Sequence, residues 1–516
     1  MAQAERSPAT WLRGHRYRSA GIGLGLVASV ALVLTFDARQ ARPAATAPFV
    51  AERPPDSVPP TNGGVTTIAA AAPTKPSLVG QPYGTMVRGL LTFRGNPSRT
   101  YYGQGPVPRN PKVVWRFPDE PMCSMSIDGG EQRRWCGTGW TGQPAVAERG
   151  GVTWVVFGAY DQAIHFLDGA TGRRMLPDLL TGDIIKGSVT IDPDGYPLVY
   201  SGSRDDNYRV IGIDRQAPAE LWRLPADAVS PVLWNNDWDG SGLIIDDHLV
   251  IGGENSQWHV VKLNRSMGDN GLVSVRPELV FHAPGWDPEL LQALGDTEVS
   301  IEGSVAIWGN RVYFANSGGL VQGWDITGLA EGRPPERVFR FWTGDDTDAS
   351  VVIDEEGMLY VASEWERQND RATGVGQIMK LDPHREDPLV WSISDRGAED
   401  DDVAGVWATP GLHRDLLIVP TNSGRILGID RRTGLLRWAK DLPGPTWASP
   451  VIVDDVLIQG DCAGVLHGYD VSDTRRDPPE LWSVAIGGCI ESTPAVWGGR
   501  IYVGTRAGFL VALADS

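Results

Sequence analysis

A short pattern recurs along this chain and constrains the fold more than any other feature. Each copy begins with Ser, Thr or Gln and continues as an apolar run, a polar turn and a second apolar run. "SPVIVDDVLIQGD" is one example. Successive starts are 45, 42, 74, 46, 59, 40 and 44 residues apart, and a period near 40–45 with several strands per unit is typical of a β-propeller. The eight copies begin at Gln143, Ser188, Ser230, Ser304, Ser350, Thr409, Ser449 and Thr493.

Each unit reads as four strands. In the seventh unit the strands are predicted at Ser449–Val453, Val456–Gly460, Val465–Tyr469 and around Trp482, with turn-forming residues between them. The eighth unit lacks a fourth strand, and "PKVVWRFP" at 111–118 can supply it. The sequence therefore predicts an all-β, eight-bladed β-propeller with four-stranded blades, closed by an N-terminal strand.

Smaller patterns fit the same architecture. Third strands ending in Asp are followed eight or nine residues later by Trp, as in Asp430 and Trp438, and we expect this Trp to cover the gap between adjacent blades. Asp430 and Gly434 would hold the intervening turn. Two units are lengthened, one by a predicted short helix within 287–296 and the other by the segment 366–377.

Several of these stretches resemble a known family. "GRILGIDRRTGLLRW" and "GRIYVGTRAGFLVAL" look like repeats of the pyrroloquinoline-quinone (PQQ)-like propellers, and "FRGNPSRTYYGQGPVP" is similar to the lead-in before their first blade. The resemblance covers roughly residues 90–516 and implies the fold. The family includes quinone-dependent alcohol dehydrogenases and the propeller lipoprotein of outer-membrane assembly, so it does not by itself define a function.

The N-terminal region is predicted to lie outside the propeller. Residues 1–19 are basic and read as cytoplasmic, and residues 20–36 are an uncharged apolar run suited to a transmembrane signal anchor. A cleaved signal peptide is the alternative. Residues 37–80 form an Ala/Pro-rich linker, and residues 81–516 form the propeller. We therefore expect a single-pass protein of the cell membrane with its propeller on the extracytoplasmic side.

The overall charge narrows the range of partners. The formal net charge is −18, although the first twenty residues are basic. An anionic body is poorly suited to nucleic acid. We expect a monomeric propeller that engages an envelope protein, a peptide or a cell-wall ligand.

Residues two positions before each repeat start are predicted to surround one mouth of the central channel. A small polar ligand or a cation could be held there by the carboxylates, with Lys186 balancing charge and a Trp as a stacking surface. The alternative is a solvated channel mouth. The predicted ring consists of Thr141, Lys186, Ala228, Glu302, Asp348, Trp407, Trp447 and Glu491.

A second candidate site lies in "NNDWDGSGLIID". Asn235, Asp237 and Asp239 alternate and are followed by Gly240, as in the first half of a calcium-binding loop. Because the twelfth position is Asp246 instead of Glu, an Asx-rich turn is the alternative. Calcium is the only cofactor candidate from the residues themselves.

Four cysteines in an extracytoplasmic protein suggest disulfides. Cys123–Cys136 and Cys462–Cys489 are the predicted pairs, although four cysteines allow three pairings and free thiols are an alternative. The dehydrogenases of the family place adjacent cysteines against the quinone and hold calcium with Glu, Asn and Asp. No two cysteines are adjacent here and no haem motif occurs, so PQQ is not expected.

The predicted function is a membrane-tethered binding or assembly scaffold of the bacterial envelope. The alternatives are a PQQ- and calcium-dependent oxidoreductase and a sensor whose ligand binds at the channel mouth. No residue is assigned a catalytic role.

Overall fold

The computed structural model describes residues 78–84, 86–128, 130–140, 142–397 and 404–515. The predicted cytoplasmic segment 1–19, the predicted signal anchor 20–36 and most of the predicted linker lie outside these residues. Within the described residues, no helix has the length and apolar character needed to cross a membrane.

Eight sheets form an all-β, eight-bladed propeller. Seven blades take four antiparallel strands from one repeat unit, and blade eight takes three from its own unit and one from an N-terminal strand. Five strands precede the first blade: β1 Gly89–Leu90, β2 Gly103–Gln104, β3 Pro111–Phe117, β4 Cys123–Asp128 and β5 Glu131–Cys136. Blade one contains β6 Ala145–Arg149, β7 Val152–Gly158, β8 Ala163–Asp168 and β9 Leu179–Leu180. Blade two contains β10 Thr190–Ile191, β11 Leu198–Ser201, β12 Asn207–Gly212 and β13 Ala219–Pro225.

Blades three and four carry additional short elements. Blade three contains β14 Leu243–Ile245, β15 His248–Gly252, β16 Gln257–Lys262, an inserted hairpin of β17 Ser266–Met267 and β18 Val273–Ser274, and β19 Glu278–Pro284. The predicted helix in 287–296 is confirmed as α1 Pro288–Leu294. Blade four contains β20 Ala306–Trp308, β21 Arg311–Phe314, β22 Leu320–Asp325 and β23 Glu336–Trp342. Short 3₁₀ helices span Ala226–Ala228 and Leu329–Glu331.

The remaining blades complete the ring. Blade five contains β24 Val352–Ile353, β25 Leu359–Ala362, helix α2 Asp370–Val375, β26 Ile378–Leu381 and β27 Leu389–Ile393. Blade six contains β28 Gly411–His413, β29 Leu416–Thr421, β30 Arg425–Asp430 and β31 Leu436–Asp441. Blade seven contains β32 Val451–Val453, β33 Val456–Gly460, β34 Val465–Asp470 and β35 Glu480–Ala485. Blade eight contains β36 Ala495–Trp497, β37 Arg500–Thr505 and β38 Phe509–Asp515.

The fourth strand of blade eight comes from the N-terminal side of the propeller. Strand β3 pairs antiparallel with β38, with Lys112 opposite Ala514 and Phe117 opposite Leu510. The indole of Trp115 in β3 donates a hydrogen bond to the carbonyl of Gly169 in blade one, at 3.1 Å. The two ends of the propeller therefore share one sheet, and this sheet also contacts the first blade.

Tryptophans of outer strands pack against turns of the next blade. Trp391 of blade five donates to the carbonyl of Arg431 in blade six, and a Cβ added at Gly434 would lie 2.8 Å from its ring. Gly434 has a φ of +74°, so both its conformation and its close contact require glycine. In the same turn Asp430 accepts two backbone N–H groups, as the sequence indicated.

The segment 89–104, called the plug from here on, lies in the central channel. Strand β1 pairs with the inner strand of blade one, and β2 pairs with that of blade eight. Backbone carbonyls of the plug accept N–H groups of Ile191, Ile307 and Ile353, which lie in or beside the inner strands of blades two, four and five.

Two fully buried arginines connect the plug to the other blades. The Arg94 guanidinium donates to the carbonyls of Pro410 in blade six and Pro450 in blade seven. Arg99 donates to the carbonyls of Ser241 and Val305, from blades three and four. The plug thus contacts all eight blades and fills one part of the channel.

Candidate functional site

A ring of hydrogen bonds around the channel identifies the true start of each repeat. The backbone N–H of Ser304 donates to the Ser350 hydroxyl at 2.8 Å, and Ser350 donates in the same way to Thr409 at 3.0 Å. This relation continues through Ser449 to Thr493. It explains the recurring Ser or Thr, because one small side chain joins each blade to its neighbour.

The same ring corrects the predicted start of the third unit. Ser241, not Ser230, donates to the Ser304 hydroxyl, at 2.9 Å, and β14 begins two residues after Ser241. "SPVL" at Ser230 resembles a start but forms no strand. The ring residue of blade three is therefore Asp239 instead of Ala228, which lies in a 3₁₀ helix. Asn235–Asp239 therefore precedes the first strand of blade three.

In blades three and five, three positions supply the side chains at this mouth of the channel. They lie four and two residues before the repeat start and in the loop after the second strand. Blade three places Asp237, Asp239 and Glu254 there, and blade five places Asp346, Asp348 and Glu364. These two sets are called the blade-three triad and the blade-five triad. In each triad the third residue follows the end of the second strand by two residues.

Cations from blade two neutralise the blade-three triad. Lys186 Nζ lies 2.5 Å from Asp239 Oδ2 and 3.5 Å from Glu254 Oε1, and Arg204 Nε lies 2.5 Å from Asp237 Oδ2. Burial raises the pKa of Asp239 to about 7. Burial alone would lower the pKa of Lys186, but the neighbouring carboxylates outweigh it and raise that pKa well above its usual range.

The blade-five triad has the same layout without these cations. One carboxylate oxygen from each of its residues lies within 4.8 Å of the others. Asp348 and Glu364 are 6% and 7% exposed. The Trp407 indole donates to Asp348 Oδ2 at 3.1 Å and the Ser317 hydroxyl to Asp348 Oδ1 at 3.3 Å. Burial, followed by repulsion from Asp348, raises the pKa values of Asp346 and Glu364 well above their usual range.

Glu302 lies between the two triads. One of its carboxylate oxygens is within 4.8 Å of the ligand atoms of Asp239 and Glu254, and it accepts a hydrogen bond from the Ser300 hydroxyl at 2.8 Å. Burial and the charge of Asp348 raise its pKa well above the usual range. The structure therefore brings Lys186, Glu302 and Asp348 together, as the repeat alignment predicted.

Three tryptophans also lie at the mouth, and one of them, Trp407, contacts the blade-five triad. The ring centroids of Trp140 and Trp407 are 5.0 Å apart, and those of Trp407 and Trp447 are 5.4 Å apart. All three are buried, and Cys462 and Cys489 pack against them. Trp407 and Trp447 were expected as stacking surfaces, but in this structure their rings meet edge to face at 79°, and Trp407 packs against Trp140 at a tilt of 33°.

Both predicted disulfides are confirmed. Cys123–Cys136 joins the paired strands β4 and β5, and Cys462–Cys489 joins the second-to-third-strand loop of blade seven to the segment before blade eight. Glu491, the ring residue of blade eight, lies 3.2 Å from Arg506 Nη1. The Arg506 guanidinium in turn lies over the rings of Trp135 and Tyr160.

The candidate calcium loop is occupied by internal interactions. The Asn235 amide donates to Asp237 Oδ2 at 2.9 Å and to Glu254 Oε2 at 3.2 Å. Arg204 forms an ion pair with Asp237, and Lys186 forms one with Asp239. Calcium at Asn235, Asp237 and Asp239 stays a prediction, and these ion pairs argue against it. Sequence reasoning did not identify Glu254 and Glu364, because their position at the mouth depends on where the second strand of each blade ends. The one local signal is that each of them follows a Gly or Ser in the loop after that strand.

The eight-bladed fold is similar to that of the PQQ-like β-propellers, and a family model matches part of the chain. A family model described as outer membrane protein assembly factor BamB matches residues 374–516. The structure resembles the quinohemoprotein alcohol dehydrogenase of Comamonas testosteroni, with 13% identity, a TM-score of 0.54, and coverage of 83% of this chain and 80% of that chain. It also resembles a europium-containing methanol dehydrogenase, with 14% identity, a TM-score of 0.52, and coverage of 83% and 98%. No curated protein matches the sequence.

Proposed function

We propose that this propeller is a membrane-tethered binding scaffold of the bacterial envelope, and that its channel mouth engages a basic segment of a partner protein or a cationic cell-wall ligand. The observation that carries this proposal is the charge of the mouth. Eight of the carboxylates described above contribute to it, together with the cations Lys186, Arg204 and Arg506 that pair with some of them. The carboxylates are Asp237, Asp239, Glu254, Glu302, Asp346, Asp348, Glu364 and Glu491.

Each of these cations already has an acidic partner. Burial and mutual repulsion raise the pKa values of Glu302, Asp346 and Glu364, so an arriving cation would stabilise the charged forms of these carboxylates. Carboxylates in a partly buried depression attract cations over a longer range than the same groups on an open surface. Glu302 and Asp346 remain partly exposed and are accessible to an arriving ammonium or guanidinium group. The charge of the mouth thus selects the class of ligand, and the surrounding loops would select the particular partner.

A PQQ-dependent oxidoreductase is the second candidate. The buried Trp140, Trp407 and Trp447 beside a disulfide favour a flat ligand in this region, and two proteins with a similar fold are an alcohol dehydrogenase and a methanol dehydrogenase. PQQ itself carries three carboxylates. Placing them beside buried acids whose neighbouring cations are already paired would cost several kcal/mol. The charges of the side chains at the mouth therefore do not fit the quinone, and the binding scaffold is the better-supported function.

The N-terminal sequence supports the location in the envelope. Arg13, Arg16 and Arg18 precede the apolar run at 20–36, which fits a signal anchor with the propeller on the extracytoplasmic side. The two disulfides fit an oxidising compartment. Extraction of the full chain from membranes only by detergent would support the tether, whereas release by salt or carbonate would contradict it.

Titration with a labelled basic peptide tests the proposed ligand class. The full chain in detergent and EDTA should bind a fluorescent ten-residue Lys/Arg peptide, with at least tenfold weaker binding at 500 mM than at 50 mM NaCl. Glu302→Gln should weaken binding several-fold. Asp441→Asn is a matched control, because Asp441 lies on an outer strand with its side chain 91% exposed.

Two results would contradict the proposal. Equal peptide binding by Glu302→Gln and the parent protein would place the interaction elsewhere on the acidic surface. Saturable binding of PQQ at micromolar concentration, with quenching of the mouth tryptophans, would instead support the oxidoreductase.

A further inference from the structure

A cavity of about 300 Å³ lies between blades one and two, at the ends of their inner strands. These strands begin beside the mouth, so the cavity lies towards the opposite side of the propeller. Its wall includes Ala147 and Arg149 of β6 and Ile191 of β10. Val87, which precedes the plug, and Met267 of the hairpin inserted in blade three also line it. Four segments that are distant in sequence therefore meet around one space.

The wall of this cavity is mainly apolar. Its aliphatic part includes Ala147, Val156 and Ile191, which belong to the buried core of the blades. Trp154 and Tyr196 are half-buried and add aromatic surface. Ordered water needs several polar partners, so an apolar group displaces it from such a space favourably. A volume of about 300 Å³ is at the lower end of the range for small-molecule sites, so the cavity suits a small ligand.

One side chain gives the cavity a positive charge. The Arg149 side chain is half-buried, and its guanidinium lies over Trp154, 5.4 Å from the ring centroid. No hydrogen bond or ion pair joins it to any residue that the structure describes. Burial lowers the pKa of Arg149, and the charge of Asp214, which acts in the opposite direction, does not outweigh it. A guanidinium partly withdrawn from water favours an anionic partner, and a carboxylate matches its planar geometry.

The carboxylates at the cavity wall already have partners. Asp192 pairs with Arg265 at 2.7 Å, and Asp214 pairs with Arg215 at 2.9 Å. Glu148 accepts hydrogen bonds from a hydroxyl group of blade one and an indole of blade eight. A cationic ligand would have to compete with these partners, whereas a carboxylate would meet a guanidinium that no described residue engages.

We infer that this cavity binds a small apolar monocarboxylate, with its aromatic or branched body against Trp154 and Tyr196 and its carboxylate on the Arg149 guanidinium. Burial of the apolar body supplies most of the affinity. The arginine fixes the orientation, because it can donate two parallel hydrogen bonds to one carboxylate. This inference does not rest on the proposed ligand of the mouth, because the two sites use different residues and lie towards opposite sides of the propeller.

Fluorine NMR titration of the full chain in detergent with para-trifluoromethylphenylacetate tests the inference. The corresponding amide and para-trifluoromethylphenethylamine are matched probes without the negative charge. We expect saturable binding of the acid with a dissociation constant between about 10 µM and 1 mM. The amide and the amine should both bind at least about fivefold more weakly than the acid. Absence of saturable binding, or an amide or amine that binds as tightly as the acid, would overturn the inference.

Matched variants locate the ligand, and measuring all of them in the same detergent cancels partition of the probes into micelles. Arg149→Met keeps the apolar stem, so it should weaken binding of the acid at least about fivefold and that of the amide less than about twofold. Arg475→Met is the control, because Arg475 is 83% exposed in a loop of blade seven, and it should change neither. Equal binding of the acid by Arg149→Met and the parent would overturn the assignment.

A cavity-filling variant tests the apolar part of the site. Ala147→Leu reduces the space, so it should weaken binding of both the acid and the amide at least about fivefold. Unchanged binding of both probes would place them outside the cavity and overturn the assignment. If Ala147→Leu does not fold, the comparison of acid and amide on the parent and on Arg149→Met still decides.

A peptide that ends in phenylalanine distinguishes a free acid from the end of a protein chain. N-acetylated Ala-Ala-Phe carries the same apolar carboxylate at its C-terminus. It should bind at least about tenfold more weakly than the free acid, because a cavity of about 300 Å³ does not accommodate the preceding residues. Tighter binding of the peptide would assign the cavity to the C-terminus of a protein partner and overturn the small-acid assignment.

Discussion

At the scale of single residues, His165 is the clearest buried titratable group outside the mouth. Its ring nitrogens lie 3.1 Å from Asp161 Oδ1 and 3.0 Å from Asp178 Oδ1. Burial lowers the pKa of His165, but the hydrogen bonds and charges of the two aspartates outweigh it, and the net shift is upward. Arg174 also pairs with Asp178, so this carboxylate stays charged.

A raised pKa in the folded state means that charged His165 stabilises the protein at low pH. The contribution is fully present below the unfolded pKa near 6.5 and is lost as the pH rises through the folded pKa. His165→Gln should therefore lower the free energy of unfolding by about 2 kcal/mol at pH 5.5 and by about 1 kcal/mol at pH 9. Urea unfolding of both proteins at the two pH values measures this, and a larger loss at pH 9 would contradict it.

Residue-scale prediction worked where the repeat alignment was correct. Lys186, Glu302, Asp348 and Glu491 were placed at the mouth by counting two residues back from each start, and the structure brings them there. Asp239 was missed as a ring residue because "SPVL" matches the pattern better than "SGLI" does. Only the hydrogen bond to Ser304, which joins two blades, distinguishes the true start.

At the scale of elements, helix α1 shows how one side chain can hold a short helix. Asp287 is its N-cap and accepts the Leu290 N–H at 3.0 Å. The same carboxylate lies 3.0 Å from Arg337 and 2.8 Å from Arg340 on β23. Although burial alone would raise the pKa of Asp287, these partners lower it to about 2.

Two substitutions separate the cap from the ion pairs. Asp287→Ala should lower the free energy of unfolding by about 1–2 kcal/mol, and Asp287→Asn by less, because Asn still caps the helix. The lowered pKa means that the charged form stabilises the fold above pH 4, and that this contribution is lost as the pH falls through 2. The difference between the parent and Asp287→Asn should therefore shrink between pH 4 and pH 2 in chemical unfolding. An unchanged difference would contradict the ion-pair role.

Strand prediction succeeded for elements with local signals. In blade seven the second strand was predicted at Val456–Gly460 and is found there, because apolar residues are bounded by turn-forming Asp pairs and Gly. The first strands are shorter than predicted, beginning two residues after the repeat start. Their first residues are held by the neighbouring blade instead, a contact that the local sequence cannot reveal.

At the scale of the whole molecule, the plug is the feature that sequence patterns did not predict. "FRGNPSRT" was interpreted as a lead-in, yet Arg94 and Arg99 lie fully buried in the channel. Their partners are backbone carbonyls of blades three, four, six and seven, which are distant in sequence. No periodicity encodes such contacts, since carbonyl groups are present at every residue. The number of blades, by contrast, follows directly from counting repeats.

Two truncations separate the plug from the closing strand. A chain beginning at Asn110 lacks the plug and keeps β3, so it loses the buried hydrogen bonds of Arg94 and Arg99 and should melt at least about 5 °C lower than a chain beginning at Leu78. A chain beginning at Asp119 also loses β3 and Trp115, which leaves the edge of β38 unpaired. It should melt lower still and associate through that edge. Calorimetry with light scattering measures both effects. Equal melting temperatures of the Asn110 and Asp119 chains would mean that β3 adds no stability. Equal melting temperatures of the Asn110 and Leu78 chains would mean that the plug adds none.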